Sequence, residues 1–282
     1  MAGAVWRPIR GVDVGRVRDA RLQAHHAVQW LARAARAFVP PQPNDSHTNL
    51  GWDDALDGFT THPLPGDLRL GLHIPLLTLV LMGTSAQQRF ALDGRSDTDA
   101  RRWLGERLSA HGFDARVLDA KAPYEIPDHP VARGAAYDAS GLADALAELA
   151  AWFANADASL DKSRHQMSAR GLAPSPERTW PHHFDMATLT LLGAGSAEHA
   201  RSVNTGFSPG DERYDEPYFY LSPYPYPDPA ELPPLPVLGH WHVHGFTAAI
   251  APASRILEAK DRQTAGEAFL AAAIDAAITA LS

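Results

Sequence analysis

Three histidines alternate along Gly239-His240-Trp241-His242-Val243-His244-Gly245. Side chains of an extended strand point to opposite faces in turn, so the three imidazoles share one face, neighbours roughly 6.5 Å apart. A neighbouring pair can converge on one ion with each nitrogen about 2.0–2.1 Å from it, whereas the outer pair, roughly 13 Å apart, cannot. A metal site here therefore uses His240 with His242, or His242 with His244, and needs further donors. The segment Pro181-His182-His183-Phe184-Asp185 supplies them. If it is extended, His182 and His183 point oppositely and His183 shares its face with Asp185. The expected ligand set is His183, Asp185, His240 and His242. Such imidazole-and-carboxylate donors suit Zn²⁺ or a non-haem Fe(II), with an open position for water or for substrate and oxygen. The other reading of these residues is structural: imidazoles on an exposed sheet face, solvated or bonded to backbone, beside the proline-rich run Pro223–Pro236.

A second group is aromatic. Tyr214, Tyr218, Phe219, Tyr220, Tyr224 and Tyr226 crowd one short segment. Alternation places Tyr218 and Tyr220 on one face and Phe219 on the other. A tyrosine ring offers an apolar face and a polar tip, so Tyr218, Tyr220 and Trp241 are the expected contacts of a small-molecule ligand. Packing of the same strand against helices is the alternative. His25 and His26 are adjacent on a helical pattern, face different ways and are expected at its boundary or surface. His47, Asp53 and Asp54 after a proline break, and Glu125 and Asp128 further on, are expected to serve turns. No G-x-S-x-G, H-E-x-x-H or G-x-x-x-x-G-K-[ST] sequence occurs, and Gly193-Ala-Gly195-Ser196 lacks the third glycine of a dinucleotide fingerprint.

These groups need elements to hold them. Ala24, Val28, Leu31, Ala35 and Phe38 recur at helical spacing and stop at Pro40, Pro41 and Pro43. Short strand-like runs follow at 59–61, 68–74, 76–81 and 89–92. Ser96 or Asp97 then caps a helix carrying Ala100, Trp103, Leu104 and Leu108 inward, ended by Gly112. Residues 114–119 read as a strand. Pro123, Pro127 and Pro130 mark a linker over 123–138. A long helix from Ser140 to about Leu160 presents Leu142, Leu146, Leu149 and Phe153. Strands are expected at 183–192, 218–221, 238–244 and 246–250, and a last helix presents Leu270, Ile274, Ile278 and Leu281. Strands grouped between helices predict an α+β fold with largely antiparallel sheet. It is read as two similar helix–strands–helix halves, 1–122 and 139–282. Thr48–Asp54 weakly echoes Thr179–Asp185, as an internal duplication would produce.

The 282 residues are 45% hydrophobic and 21% charged, with a formal net charge of −8 and no cysteine. That length supports a packed core without crosslinks. The absence of cysteine excludes disulfides, thiolate metal sites and a cysteine nucleophile. Mild acidity argues against nucleic acid as a partner. The most apolar stretch, 68–82, is too short to span a bilayer, and no signal-peptide core is visible near the N-terminus, so a cytoplasmic protein is expected.

The runs Pro123-Tyr-Glu-Ile-Pro-Asp128, Ala136-Tyr-Asp138, Phe184-Asp-Met-Ala187, Gly206-Phe-Ser-Pro-Gly210 and Glu216-Pro-Tyr-Phe-Tyr220, with Tyr224-Pro225, occur in that order. In this the chain resembles an uncharacterised bacterial family carried under a domain-of-unknown-function label, from about Trp6 to the C-terminal helix and most strongly over 84–227. The resemblance implies a stand-alone bacterial protein and carries over no catalytic residue. Pro181-His182-His183 and the histidine-rich 239–245 strand depart from the family pattern. The functional expectation is a small-molecule enzyme or ligand-binding protein with a His-rich pocket, able to hold one Zn²⁺ or Fe(II). The alternative is a non-catalytic scaffold using the Tyr/Pro-rich surface.

Overall fold

A computed structural model describes residues 5–83, 87–193, 200–236 and 238–282. The second glycine of Gly193-Ala-Gly195-Ser196 and the serine after it lie outside the described residues, as does residue 84. The fold is α+β with two antiparallel sheets. The chain divides into two compact units. The first comprises residues 12–150 and 179–184, and the second the described residues of 1–11, 151–178 and 185–282.

In the first unit the Asp13 carboxylate accepts the Arg16 N–H and starts α1 (Val14–Phe38), which ends at extended Val39 ahead of Pro40 and Pro41. Strands β1 (Gly51–Asp53), β2 (Gly58–Thr60), β3 (Arg69–His73), β4 (Thr78–Met82) and β5 (Gln87–Ala91) form a meander in chain order. Ser96 and Asp99 then close a reciprocal capping box at the start of α2 (Asp97–Ala110). Ala24, Val28, Leu31 and Ala35 of α1 are fully buried, and so are Ala20, Ala27 and Ala34 on its other sides. Alanine all round lets β3 and the short turns at 46–48, 115–119 and 130–133 close on the helix together.

The stretch 123–138 is tied to this unit. His129 Nε2 meets Asp19 at 2.8 Å, the Asp138 N–H donates to Gln23 at 2.8 Å, and the Tyr137 hydroxyl donates to Asp97 at 2.7 Å. Residues 115–119, expected as a strand, form a 3₁₀ turn instead, because the Asp114 carboxylate captures the Arg116 N–H and turns the chain.

Helix α3 (Ala143–Ala169) contributes residues to both units and runs a further two turns beyond the expected end. Strand β6 (Arg178–Trp180) has its first residue in the second unit and its other two in the first. In the second unit β7 (Asp185–Leu191), β8 (Ser202–Ser208), β9 (Tyr218–Tyr224), β10 (His240–His242) and β11 (Ala248–Pro252) pair in the order β10-β11-β9-β8-β7. After α4 (Ala253–Leu257), α5 (Arg262–Ala280) packs against β8 and β9. The buried face of the sheet carries Phe207 and Phe219, on which Trp152 and Trp6 stack at 6.0 and 5.9 Å between ring centres. Alternation turns Tyr218 and Tyr220 to the opposite face. Strand β8 has no counterpart among the strands expected from the sequence. Among the described residues no helix is long and apolar enough to cross a membrane.

Candidate functional site

The histidine strand is shorter than its sequence pattern suggests. Only His240, Trp241 and His242 pair with β11, opposite Ile250, Ala249 and Ala248, and His244 lies beyond the strand. Ile250 in turn faces Tyr220 of β9, and Tyr220 faces Gly206 of β8. The face that carries His240 and His242 is thus the face of Tyr218 and Tyr220. Trp241 points to the other face and donates its Nε1–H to the Pro233 carbonyl at 2.7 Å. It is separated from the two tyrosines with which the sequence reading grouped it.

A loop completes this face. The Asp211 carboxylate accepts the backbone N–H groups of Arg213 and Tyr214 at 2.7 and 2.8 Å, while the Asp211 N–H donates to the Tyr214 carbonyl. This closed turn aims the Tyr214 ring between the two histidines. Its Oη lies 3.1 Å from His240 Nε2 and 3.0 Å from His242 Nδ1. The second nitrogen of His242, Nε2, lies 2.9 Å from the His244 carbonyl.

A carbonyl can only accept, so His242 carries its proton on Nε2 and presents a lone pair at Nδ1. The Tyr214 hydroxyl therefore donates to His242, and its oxygen accepts from His240 Nε2–H. Burial, and then the charge of Asp211, raise the Tyr214 phenol above its usual pKa and keep it protonated in this role. Burial and neighbouring His242 push His240 below the ordinary imidazole value. Arg213 donates to the same His244 carbonyl at 2.8 Å and lies over the Phe246 ring, fixing the loop that holds His242.

Tyrosines continue the face inward. Tyr214 and Tyr218 rings are 5.1 Å apart, and Tyr218 and Tyr220 rings 6.1 Å apart. The Tyr218 hydroxyl donates to Asp211 at 2.6 Å, and the Tyr220 hydroxyl donates to Asp185. Burial first, and the adjacent carboxylates second, hold both phenols above their ordinary values. Gly206 makes the second bond feasible: a β-carbon there would stand 2.4 Å from the Tyr220 ring.

The four-residue ligand set expected from the sequence does not assemble. Asp185 opens β7, four strand spacings from β10, about 19 Å across the sheet, and its Oδ2 is engaged by Tyr220. His183 is not on a strand. The N–H groups of His183 and Phe184 both return to the Trp180 carbonyl, and Phe184 adopts a left-handed conformation with φ 58°. This turn removes the alternation that was to put His183 and Asp185 on one face. His183 is exposed, with its ring 4.3 Å from that of His182, and belongs to the first unit. Among the described residues no group of three or more His, Cys, Asp or Glu side chains is placed to hold a metal ion. Tyr214 was the residue to find, and its signal was local: Asp-x-x-Tyr in Asp211–Tyr214 is an Asx-turn sequence ending in a polar aromatic.

His25 and His26 also depart from expectation, being 4% and 7% exposed inside the first unit rather than at its surface. His25 lies flat on Phe184, 5.1 Å between ring centres with 11° between planes, and donates Nε2–H to the Pro181 carbonyl at 2.8 Å. Burial depresses its pKa to about 3, against the opposing effect of that hydrogen bond. His47 is likewise buried, its Nδ1 accepting the Gln42 N–H at 3.1 Å, which is turn chemistry.

The chain matches no family model, no curated protein and no solved structure.

Proposed function

We propose that this protein binds one divalent cation, Zn²⁺ or Fe²⁺, through His240, His242 and Tyr214, and presents it to a small-molecule substrate. The observation that carries the reading is the convergence of two imidazole nitrogens on one phenol oxygen, at 3.1 and 3.0 Å. Ligands sharing one ion at about 2.0–2.2 Å, with angles near 90–110°, stand about 2.9–3.4 Å apart. The same separations serve hydrogen bonds in the cation's absence, and loading would turn the two imidazole nitrogens from the phenol oxygen toward the ion. Anchoring of His242 Nε2–H on the His244 carbonyl supports the reading, since metal-binding imidazoles usually donate their other N–H to a carboxylate or carbonyl.

Three protein ligands leave coordination positions for water or a substrate oxygen. A cation there polarises that oxygen or lowers the pKa of bound water. Loading displaces the Tyr214 proton and needs the His240 proton moved from Nε2 to Nδ1, so binding strengthens as pH rises. Protein purified without a histidine tag and incubated with Zn²⁺ should retain close to one equivalent after gel filtration, and His242→Ala should retain none. Equal retention by the two proteins would remove the proposal.

A second reading, a scaffold that recruits a partner through the Tyr/Pro-rich surface, draws on Tyr224 and Tyr226, which are 47% and 52% exposed. Deleting Pro223–Pro236 and comparing captured partners tests it; unchanged capture would count against it.

A further inference from the structure

The first unit holds a second place with the dimensions of a ligand site, and nothing in the cation reading uses it. A cavity of about 420 Å³ opens beside α1. That volume lies within the range of small-molecule pockets. His26, Gln29, Trp30 and Arg33 line it at i, i+3, i+4 and i+7, so one stripe of α1 forms its floor.

The polar groups of this floor are already held in place. Trp30 Nε1–H and the Tyr137 hydroxyl both donate to Asp97 Oδ1, at 3.0 and 2.7 Å. Gln29 accepts the Tyr124 hydroxyl at 2.9 Å through Oε1 and donates Nε2–H to the Pro181 carbonyl at 2.8 Å. His26 donates to the Pro127 carbonyl at 3.0 Å. Trp30, Tyr124 and Ile126 supply the apolar wall. Ordered side chains of this kind lose little freedom when a ligand arrives.

Charge decides the class of ligand. Four charged side chains line the cavity: Arg33, Lys121, Asp97 and Asp119. Asp119 is neutralised, because Arg101 grips both its oxygens at 2.6 and 2.8 Å. Asp97 spends Oδ1 on two neutral donors. Arg33 donates to the Leu118 carbonyl at 3.2 Å and stands 4.9 Å over the Trp30 ring, which leaves guanidinium donors for a ligand. Among the described residues neither Arg33 nor Lys121 forms an ion pair. Two cations then face one carboxylate, a positive excess in a chain whose net charge is −8.

We propose that this cleft binds a small organic anion with a flat apolar body, its carboxylate or phosphate on Arg33 and Lys121 and its ring against Trp30, Tyr124 and Ile126. Either anionic group fits a guanidinium fork. A cation would face Arg33 and Lys121 and is disfavoured.

Isothermal titration of the full chain with phenyl phosphate and with benzoate tests this, with inorganic phosphate and benzylamine as comparisons. The tighter of the two ring anions identifies the anionic group. It should bind at least about tenfold more tightly than either comparison. Lys121 is exposed, so Lys121→Glu leaves packing alone and should weaken the ring anion by about tenfold or more; Arg33→Met should act in the same direction. Benzylamine binding as tightly as the anions, no saturable binding of either anion at millimolar concentration, or an unchanged affinity in Lys121→Glu would each overturn the proposal. His242→Ala should bind the ring anion as the parent does, so this site and the cation site fail or stand separately.

Discussion

His242 holds its Nε2 proton on the carbonyl of His244 at 2.9 Å, and this one bond settles what the opposite side of the ring can do. With Nε2 committed as donor, Nδ1 is a lone pair fixed in direction, and Tyr214 meets it. The imidazole of His244, third in the alternating pattern, is not part of the arrangement; its backbone oxygen is. Phe246 stacks on the His242 ring at 4.3 Å, and Arg213 reaches the same carbonyl, so the orientation is held from three sides.

Burial of His25 makes the first unit sensitive to acid. Its folded-state pKa, about 3, lies below the unfolded value of 6.5, so the unfolded chain binds the extra proton. Stability is therefore complete above about pH 6.5 and falls as pH drops from there toward 3, by up to about 1.4 kcal/mol per pH unit from this group. Denaturant unfolding between pH 7 and 4 should show that slope. His25→Gln, which keeps a donor for Pro181, should flatten it; an unchanged slope would mean that other groups carry the acid limb.

Gly206 is specific to Tyr220. Replacing it by alanine puts a methyl group 2.4 Å from the Tyr220 ring and should cost about 1–3 kcal/mol. In the Tyr220→Ala background the same change should be nearly free. A cycle of the two substitutions, read by chemical denaturation, checks this, and additive costs would contradict the close approach.

Ser96→Ala removes one arm of the capping box with Asp99 and should destabilise the chain by about 1 kcal/mol. The shift in denaturation midpoint measures it, and Ser96→Asp, which restores an acceptor, should recover most of the loss.

Most of the helices and the first meander follow from local patterns. Apolar spacing and proline stops locate α1, and the pair Ser96 or Asp97 locates the start of α2, where Ser96 is the cap. The β-rich texture between Thr48 and Leu92 reflects strands that meet consecutive neighbours. What local patterns miss depends on distant residues. Gly206 lets β8 pass beneath the Tyr220 ring, a contact that no local pattern announces. His183 reads as a strand residue until the Phe184 turn, packed on His25 and Phe59, shows why the chain bends there. His25 and His26 read as boundary residues because adjacent helix positions face different ways, but α1 is enclosed on several sides. At the site, the shared face of all four residues depends on the register through β11, but that His240 goes with His242 and Tyr218 with Tyr220 is legible from alternation. The third group is not, since Tyr214 arrives on a loop whose course is set by Asp211.

Titration of the tag-free protein with Cu²⁺, as a spectroscopic stand-in for the proposed cation, tests the central claim most directly, because a phenolate bound to Cu²⁺ gives a visible charge-transfer band. We predict a band that saturates at one equivalent, disappears in Tyr214→Phe, and is absent from His242→Ala. Saturation without the band, or a band that survives Tyr214→Phe, would contradict the assignment of His240, His242 and Tyr214 to one ion.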